Sequence, residues 1–111
     1  MTPEQEQQFY DNLEKEVDKL TVTLDLEDWQ VFYADSILTH NYLAMMDDLN
    51  NLNRAKVSNV DAFQRAQDKW MEASYNAFRG ILSDEQWEKY LKGGAARDKK
   101  ARDKREAKRN K

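Results

Sequence analysis

The sequence has 111 residues, which is enough for one domain with a single modest core. Charged residues make up 35% of it, whereas glycine and proline together occupy four positions. This composition is typical of helices and argues against a sandwich or barrel, which needs frequent turns. The absence of cysteine excludes disulfides, thiolate metal sites and cysteine nucleophiles.

Hydropathy gives no sign of a membrane-inserted or targeting segment. No stretch approaches the ~20 consecutive apolar residues that a membrane-spanning helix needs. The N-terminal residues also lack a basic region followed by an apolar one, so we expect no signal peptide in this numbering.

The net charge of −3 is distributed unevenly along the chain. Residues 92–111 contain ten Lys and Arg against three Asp and Glu, a net charge of +7, and residues 1–91 carry the balance of −10. Residues 95–111 also lack any large apolar side chain. We therefore expect a domain over 1–92 and, over 93–111, a basic tail that is helix-prone or disordered and not ordered against the core.

The first two helices have recognisable starts. Thr2 is a good N-cap, Pro3 suits the first helical position, and Gln5 can close a capping box on Thr2. Apolar residues then recur every three or four positions up to about Leu24. Asp25 is the expected N-cap of the second helix, which should be the longest because no proline or glycine follows before residue 58.

Two further helices are predicted after a turn rich in asparagine. Ser58 or Asn59 caps the third helix, which continues to about Ile81. Ser83 caps the fourth, and Gln86 can close a capping box on it. The glycine pair at 93–94 should stop or loosen this last helix. The sequence thus predicts an all-α fold of four helices, hairpin-based and thin, with a basic C-terminal tail.

A short internal repeat supports the hairpin layout. Leu24–Phe32 aligns without a gap on Leu82–Tyr90, 58 residues later, with a leucine, a capping residue, a tryptophan and an aromatic residue in register. Two similar halves indicate that helices one and two form one hairpin and helices three and four another.

The sequence does not predict an enzyme, a cofactor or a metal site. His40 is the one histidine, and no nucleophile elbow or Gly-rich oxyanion loop accompanies it. A structural zinc site needs four nitrogen or sulfur ligands, and this chain offers one imidazole and no thiol.

Aromatic and methionine side chains are the candidates for binding other proteins. At helical spacing they serve either as core or as an exposed, adaptable groove for apolar segments of a partner. The candidate surface consists of Trp29, Phe32, Met45, Met46, Trp70, Met71 and Trp87. The basic tail has no aromatic residue for base stacking and the body is acidic, so nucleic acid or anionic lipid is not the expected partner.

The segment Leu82-Ser83-Asp84-Glu85-Gln86 resembles the LTxxQ motif of the Spy- and CpxP-like periplasmic stress proteins. Met1-Thr2-Pro3-Glu4-Gln5 is similar, and Leu24-Asp25-Leu26-Glu27-Asp28 is a degenerate copy without the glutamine. The resemblance implies a thin, curved helical dimer in the periplasm or otherwise exported. It also implies a concave face that holds unfolded or partly folded clients without ATP.

Two functions follow as expectations. The first is a non-enzymatic, Spy-type chaperone or envelope-stress protein that captures apolar client segments reversibly. The alternative is a helical interaction or regulatory subunit that docks one defined partner and uses its basic tail as an electrostatic arm.

Overall fold

A computed structural model of the chain describes residues 1–110. Within this range the protein is all-α and has no strand, which confirms the predicted fold class. The first four helices correspond to the four that the sequence predicts. The helices are α1 (Pro3–Leu24), α2 (Asp28–Arg54), α3 (Val60–Ile81), α4 (Asp84–Tyr90) and α5 (Ala96–Arg109).

Side-chain caps start three of these helices at the predicted residues. In α1 the Thr2 hydroxyl accepts from the Gln5 backbone N–H while the Gln5 side chain accepts from the Thr2 N–H. Ser83 and Gln86 form the same reciprocal pair at α4. Asn59 caps α3 by accepting from the Asp61 N–H. Each cap satisfies backbone donors that have no partner inside the helix.

The start of α2 differs from the prediction. Asp25 is the C-cap of α1, in a left-handed conformation with φ 53°. The Leu26 N–H donates to the Thr21 carbonyl, so residues 25–26 close α1. The N-cap of α2 is instead Glu27, and Gln30 closes its capping box. The prediction was wrong because ending the preceding helix already requires Asp25.

The core lies where α1, α2, α3 and α4 meet. Helices α2 and α3 run antiparallel, since Gln30 contacts Ile81 and Asn41 donates to Ser74 at 2.9 Å. Helix α1 packs on α2, and α4 returns to contact α1. The molecule measures 43 × 41 × 17 Å, so it is thin in one direction. The buried apolar residues are Leu13, Val17, Leu24, Ala34, Leu38, Phe78 and Leu82.

The C-terminal segment is a helix that packs on the body. Helix α5 runs antiparallel along α3 and is held by ion pairs. Arg105 forms a bidentate pair with Asp68 at 2.8 Å, and Arg102 and Lys99 both contact Glu72. The prediction that this segment would not order against the body is wrong, because acidic side chains of α3 supply the contacts that apolar residues do not. The proposed boundary at residues 92–93 stays a prediction.

A wide, kinked turn of residues Leu91–Ala95 connects α4 to α5. Gly94 has φ 122° and ψ −16°, a backbone conformation that residues other than glycine rarely adopt. This glycine sets the direction in which α5 leaves the body. None of the helices within residues 1–110 is long and apolar enough to span a membrane.

Candidate functional site

The most exposed aromatic side chains lie together at the start of α2. Trp29 is 50% exposed, Phe32 67% and Tyr33 50%. The rings of Trp29 and Tyr33 meet edge to face at 6.2 Å, and those of Phe32 and Tyr33 at 5.5 Å. We call these three residues the aromatic patch. A contiguous exposed group of this kind marks an interaction surface more often than isolated exposed residues do.

The periodicity of α2 explains why the aromatic patch faces solvent. The buried residues of this helix are Gln30, Ala34, Leu38 and Asn41, at spacings of three to four. This stripe packs on α1 and α3, and residues 29, 32 and 33 fall on the opposite side. The helix buries Leu38 together with small and polar side chains, and it leaves the aromatic side chains of its first two turns outside.

The charged residues close to the aromatic patch along the chain are acidic. The indole N–H of Trp29 donates to Glu27 at 2.7 Å, which fixes the ring beside a carboxylate. Asp28 and Asp35 are exposed on the same part of the helix. The sequence from residue 20 to residue 53 contains no lysine or arginine. The patch is thus apolar at its centre and acidic at its rim.

The structure does not gather the other candidate residues into the same surface. Trp70 is half-buried on α3 and donates to Asp48 at 2.7 Å. Trp87 packs on Tyr75 and Tyr90, with ring centroids 4.9 Å and 5.4 Å away. The remaining candidates, Met45, Met46 and Met71, are half-buried, and of these three only Met71 lines the cavity between α1, α2, α3 and the turn before α5.

Tyr33 belongs to the aromatic patch but was not among the candidate residues. Its position four residues after Trp29 and next to Phe32 placed it in the apolar set of the second helix, where a core role was as reasonable. The feature that distinguishes the two roles is the buried stripe of Gln30, Ala34, Leu38 and Asn41, which the sequence pattern alone did not identify.

The capping glutamines Gln30 and Gln86 connect the start of α2 to the start of α4 through side-chain hydrogen bonds. Gln30, which is buried, donates to the Ile81 carbonyl and to the side chain of Gln86. Gln86 donates back to Gln30 and to the carbonyls of Leu24 and Asp25. These glutamines cap their own helices and also tie the start of α2 to the start of α4. Their chemistry is structural, as expected of capping residues.

Residues 1–110 contain no group of three or more His, Cys, Asp and Glu side chains placed to hold a metal ion. His40 is exposed on α2 and meets the edge of Trp70 at 6.2 Å.

Comparison of the chain with protein families, curated proteins and solved structures finds no match.

Proposed function

We propose that this protein is a non-enzymatic binding module of the Spy type, which holds apolar segments of unfolded or partly folded proteins on the aromatic patch. The observation that carries this proposal is the exposure of Trp29, Phe32 and Tyr33 on one side of α2. An aromatic side chain buries 150–250 Å² when fully covered, so a client covering three half-exposed rings removes roughly 200–400 Å² from water. Covering this area favours weak, reversible capture.

The rim of the aromatic patch favours clients that combine apolar and basic residues. Glu27, Asp28 and Asp35 lie in the same part of the sequence as the rings, and no lysine or arginine lies between residues 20 and 53 to offset them. A client segment with lysine or arginine beside an apolar run is attracted electrostatically, whereas an acidic segment is repelled. Capture should weaken with salt for basic clients.

The resemblance to the Spy- and CpxP-like proteins supports the same function. Thr2–Gln5, Glu27–Gln30 and Ser83–Gln86 all make capping boxes, and the last two meet through their glutamines. The thin shape, with a short dimension of 17 Å, leaves much of the helix surface open. A periplasmic location, a role in envelope stress and a homodimer are proposed with the function.

An aggregation assay tests this function. The protein, at less than one molecule per client, is mixed with a basic client that aggregates on dilution from denaturant. We expect a delay in light scattering, and we expect Trp29→Ser/Phe32→Ser to abolish it. Val60→Ser is the control, because Val60 is 79% exposed and lies at the start of α3, away from the start of α2. A wild type without effect, or a double variant as active as wild type, contradicts the proposal.

A second candidate is a subunit that docks one defined partner through its basic tail. One face of α5 pairs with α3, which leaves a row of exposed cations on the other face at Arg97, Lys100, Lys104 and Lys108. A single stoichiometric partner that is lost when the chain is truncated after Lys92 would favour this function. Binding that is unchanged by the truncation would argue against it.

A further inference from the structure

A cavity of about 370 Å³ lies between α1, α2, α3 and the turn that leads into α5. Its floor is apolar and consists of Leu20, Leu24, Leu38, Met71 and Phe78. None of the residues of the aromatic patch lines it. The volume falls in the range of sites that bind small molecules, which are mostly apolar with a few polar groups that fix orientation.

The polar groups of this cavity gather at its rim. Tyr42 already donates to Glu16 at 3.0 Å. The Tyr90 hydroxyl, in contrast, makes no hydrogen bond to residues 1–110, although the side chain is half-buried and burial raises its pKa to about 12. It therefore remains a protonated donor at neutral pH. The charged side chains of the rim are Glu16, Lys19, Lys89, Asp98 and Arg102.

Arg102 is the one buried side chain among these charged groups. It is only 9% exposed, and its Nε donates to Glu72 at 3.1 Å. The guanidinium carbon lies 5.5 Å from the centre of the Tyr75 ring. Its Nη2 is the one buried side-chain polar atom within residues 1–110 without a hydrogen-bond partner. Buried donors are almost always paired, and an unpaired one costs stability, so the Arg102 guanidinium has donor capacity that no acceptor within residues 1–110 uses.

We propose that the cavity binds a small organic monocarboxylate, with the carboxylate near Arg102 and Tyr90 and the apolar body over Leu38 and Phe78. Arg102 supplies a charged donor and Tyr90 a neutral one, and a carboxylate accepts from both. The five charged side chains of the rim are three cations and two carboxylates, a net charge of +1, which matches a ligand with one negative charge better than a phosphate dianion. The volume suits a body of roughly ten carbon atoms.

Helix α5 forms one wall of this site. Asp98 and Arg102 line the cavity from α5, and Gly93, Gly94 and Ala95 line it from the turn. Arg105 lies on the same helix and pairs with Asp68, but it does not line the cavity. Arg105→Gln therefore weakens the attachment of α5 without removing a group from the site, and it is a matched control for Arg102→Met.

Titration of the full chain with decanoate, below its micelle concentration, tests the site by backbone amide NMR. We expect shifts centred on Phe78, Tyr90 and Arg102, with decan-1-ol binding at least tenfold more weakly. Arg102→Met should weaken decanoate binding at least tenfold and Tyr90→Phe about threefold. Arg105→Gln should change it less than twofold.

Other outcomes overturn the proposal. These are shifts confined to residues 28–36, equal affinities for decanoate and decan-1-ol, or no saturable binding at millimolar ligand. If Arg102→Met does not fold, the proposal is tested by Tyr90→Phe and by the ratio of the decanoate and decan-1-ol affinities. An unchanged affinity in Tyr90→Phe together with a ratio near one would overturn it. Binding only at the aromatic patch would leave client capture as the one binding function.

Discussion

The side-chain amides of Gln30 and Gln86 donate hydrogen bonds to each other, at 2.7 Å from Gln30 to Gln86 and 3.1 Å in the other direction. The two residues are 56 positions apart and occupy the same place in their capping boxes. Each also donates to backbone carbonyls at the end of a neighbouring helix. The pair therefore caps two helices and joins them, which a capping residue alone does not do.

Gln86→Ala is expected to cost more stability than an ordinary cap. It removes the α4 box and the donors to Leu24, Asp25 and Gln30. Loss of a cap and of buried hydrogen bonds together predicts a decrease of about 2–3 kcal/mol in the free energy of unfolding, measured by urea denaturation.

Gln5→Ala is the matched control for the contact between Gln86 and Gln30. Its box on Thr2 is exposed and has no long-range hydrogen bond, so we expect a loss below about 1 kcal/mol. Equal losses for Gln5→Ala and Gln86→Ala would show that the contact with Gln30 contributes nothing beyond capping.

Attachment of α5 to α3 should depend on acid and salt through Asp68. Burial alone raises the pKa of this carboxyl, but hydrogen bonds from Arg105, Gln64 and Arg109 outweigh burial and lower it. The pKa in an unfolded chain is about 3.9. The stabilisation is therefore fully present above about pH 4 and is lost as the pH falls through the lower folded pKa. Salt at 1 M screens the more exposed pairs.

Asp68→Asn tests this attachment directly. We expect the amide hydrogens of α5 to exchange about 5–30-fold faster, which corresponds to about 1–2 kcal/mol, and the acid dependence of their protection factors, corrected for intrinsic exchange, to decrease. Asp103→Asn removes the same charge from an exposed position on α5 and should have little effect. Unchanged protection of α5 in Asp68→Asn would mean that other contacts hold the helix.

Alkaline pH should destabilise the protein through Tyr42 and Tyr90. Burial raises the pKa of both phenols, and it raises that of Tyr90 to about 12. The nearby Glu16 carboxylate raises the pKa of Tyr42 further. Unfolded tyrosine ionises near pH 10, so this stability is present below about pH 10 and is lost as the pH rises through the folded pKa values. The urea midpoint should fall between pH 10 and 12.

Tyr42→Phe separates this effect from general alkaline unfolding. It should reduce the dependence on pH above 10 and cost about 0.5–1.5 kcal/mol at neutral pH by removing the hydrogen bond to Glu16. Tyr10→Phe, at an exposed position, is the control. A urea midpoint that stays constant from pH 9 to 12 would contradict the role of the buried phenols.

Adjacent glycines in the turn before α5 should respond oppositely to alanine. Gly94 has φ 122°, so Gly94→Ala is strained although its Cβ would have room, and we expect a loss of about 1–3 kcal/mol. A Cβ added at Gly93 would meet no atom within 4 Å, and the backbone there is helical, so Gly93→Ala should add up to about 1 kcal/mol. Urea denaturation and amide hydrogen exchange in α5 measure the stability of both variants. Equal changes in stability for Gly93→Ala and Gly94→Ala would argue against the kink at Gly94.

Local patterns predicted the helices, because caps and periodicity act within one or two turns. Ser83 and Gln86 lie where the capping box placed them. Asp25 was assigned to the wrong helix because its left-handed conformation depends on how α1 ends. The attachment of α5 was missed because its ion pairs are 27 to 48 residues apart in sequence. The acids at 61, 68 and 72 lie on one face of α3 and the arginines at 102, 105 and 109 lie on one face of α5, which is a usable signal.

The candidate site was predicted less well than the fold. Trp29 and Phe32 are exposed neighbours, but Trp70, Met71 and Trp87 pack elsewhere. Which face of an amphipathic helix is covered depends on its neighbours, and aromatic spacing alone does not say whether a stripe faces core or solvent. The buried face of α2 consists of Gln30, Ala34, Leu38 and Asn41, and only Leu38 among these is a large apolar residue, so apolar spacing does not reveal this face.

The indole N–H signals of the three tryptophans give the most direct test of client capture at the aromatic patch. Trp29 lies in the patch, whereas Trp70 donates to Asp48 and Trp87 packs on Tyr75, so the last two serve as internal controls. On titration with a permanently unfolded basic protein, the Trp29 signal should shift or broaden while the other two stay in place. Movement of Trp70 or Trp87 with Trp29 unchanged, or no change in any indole signal, would contradict capture by the patch.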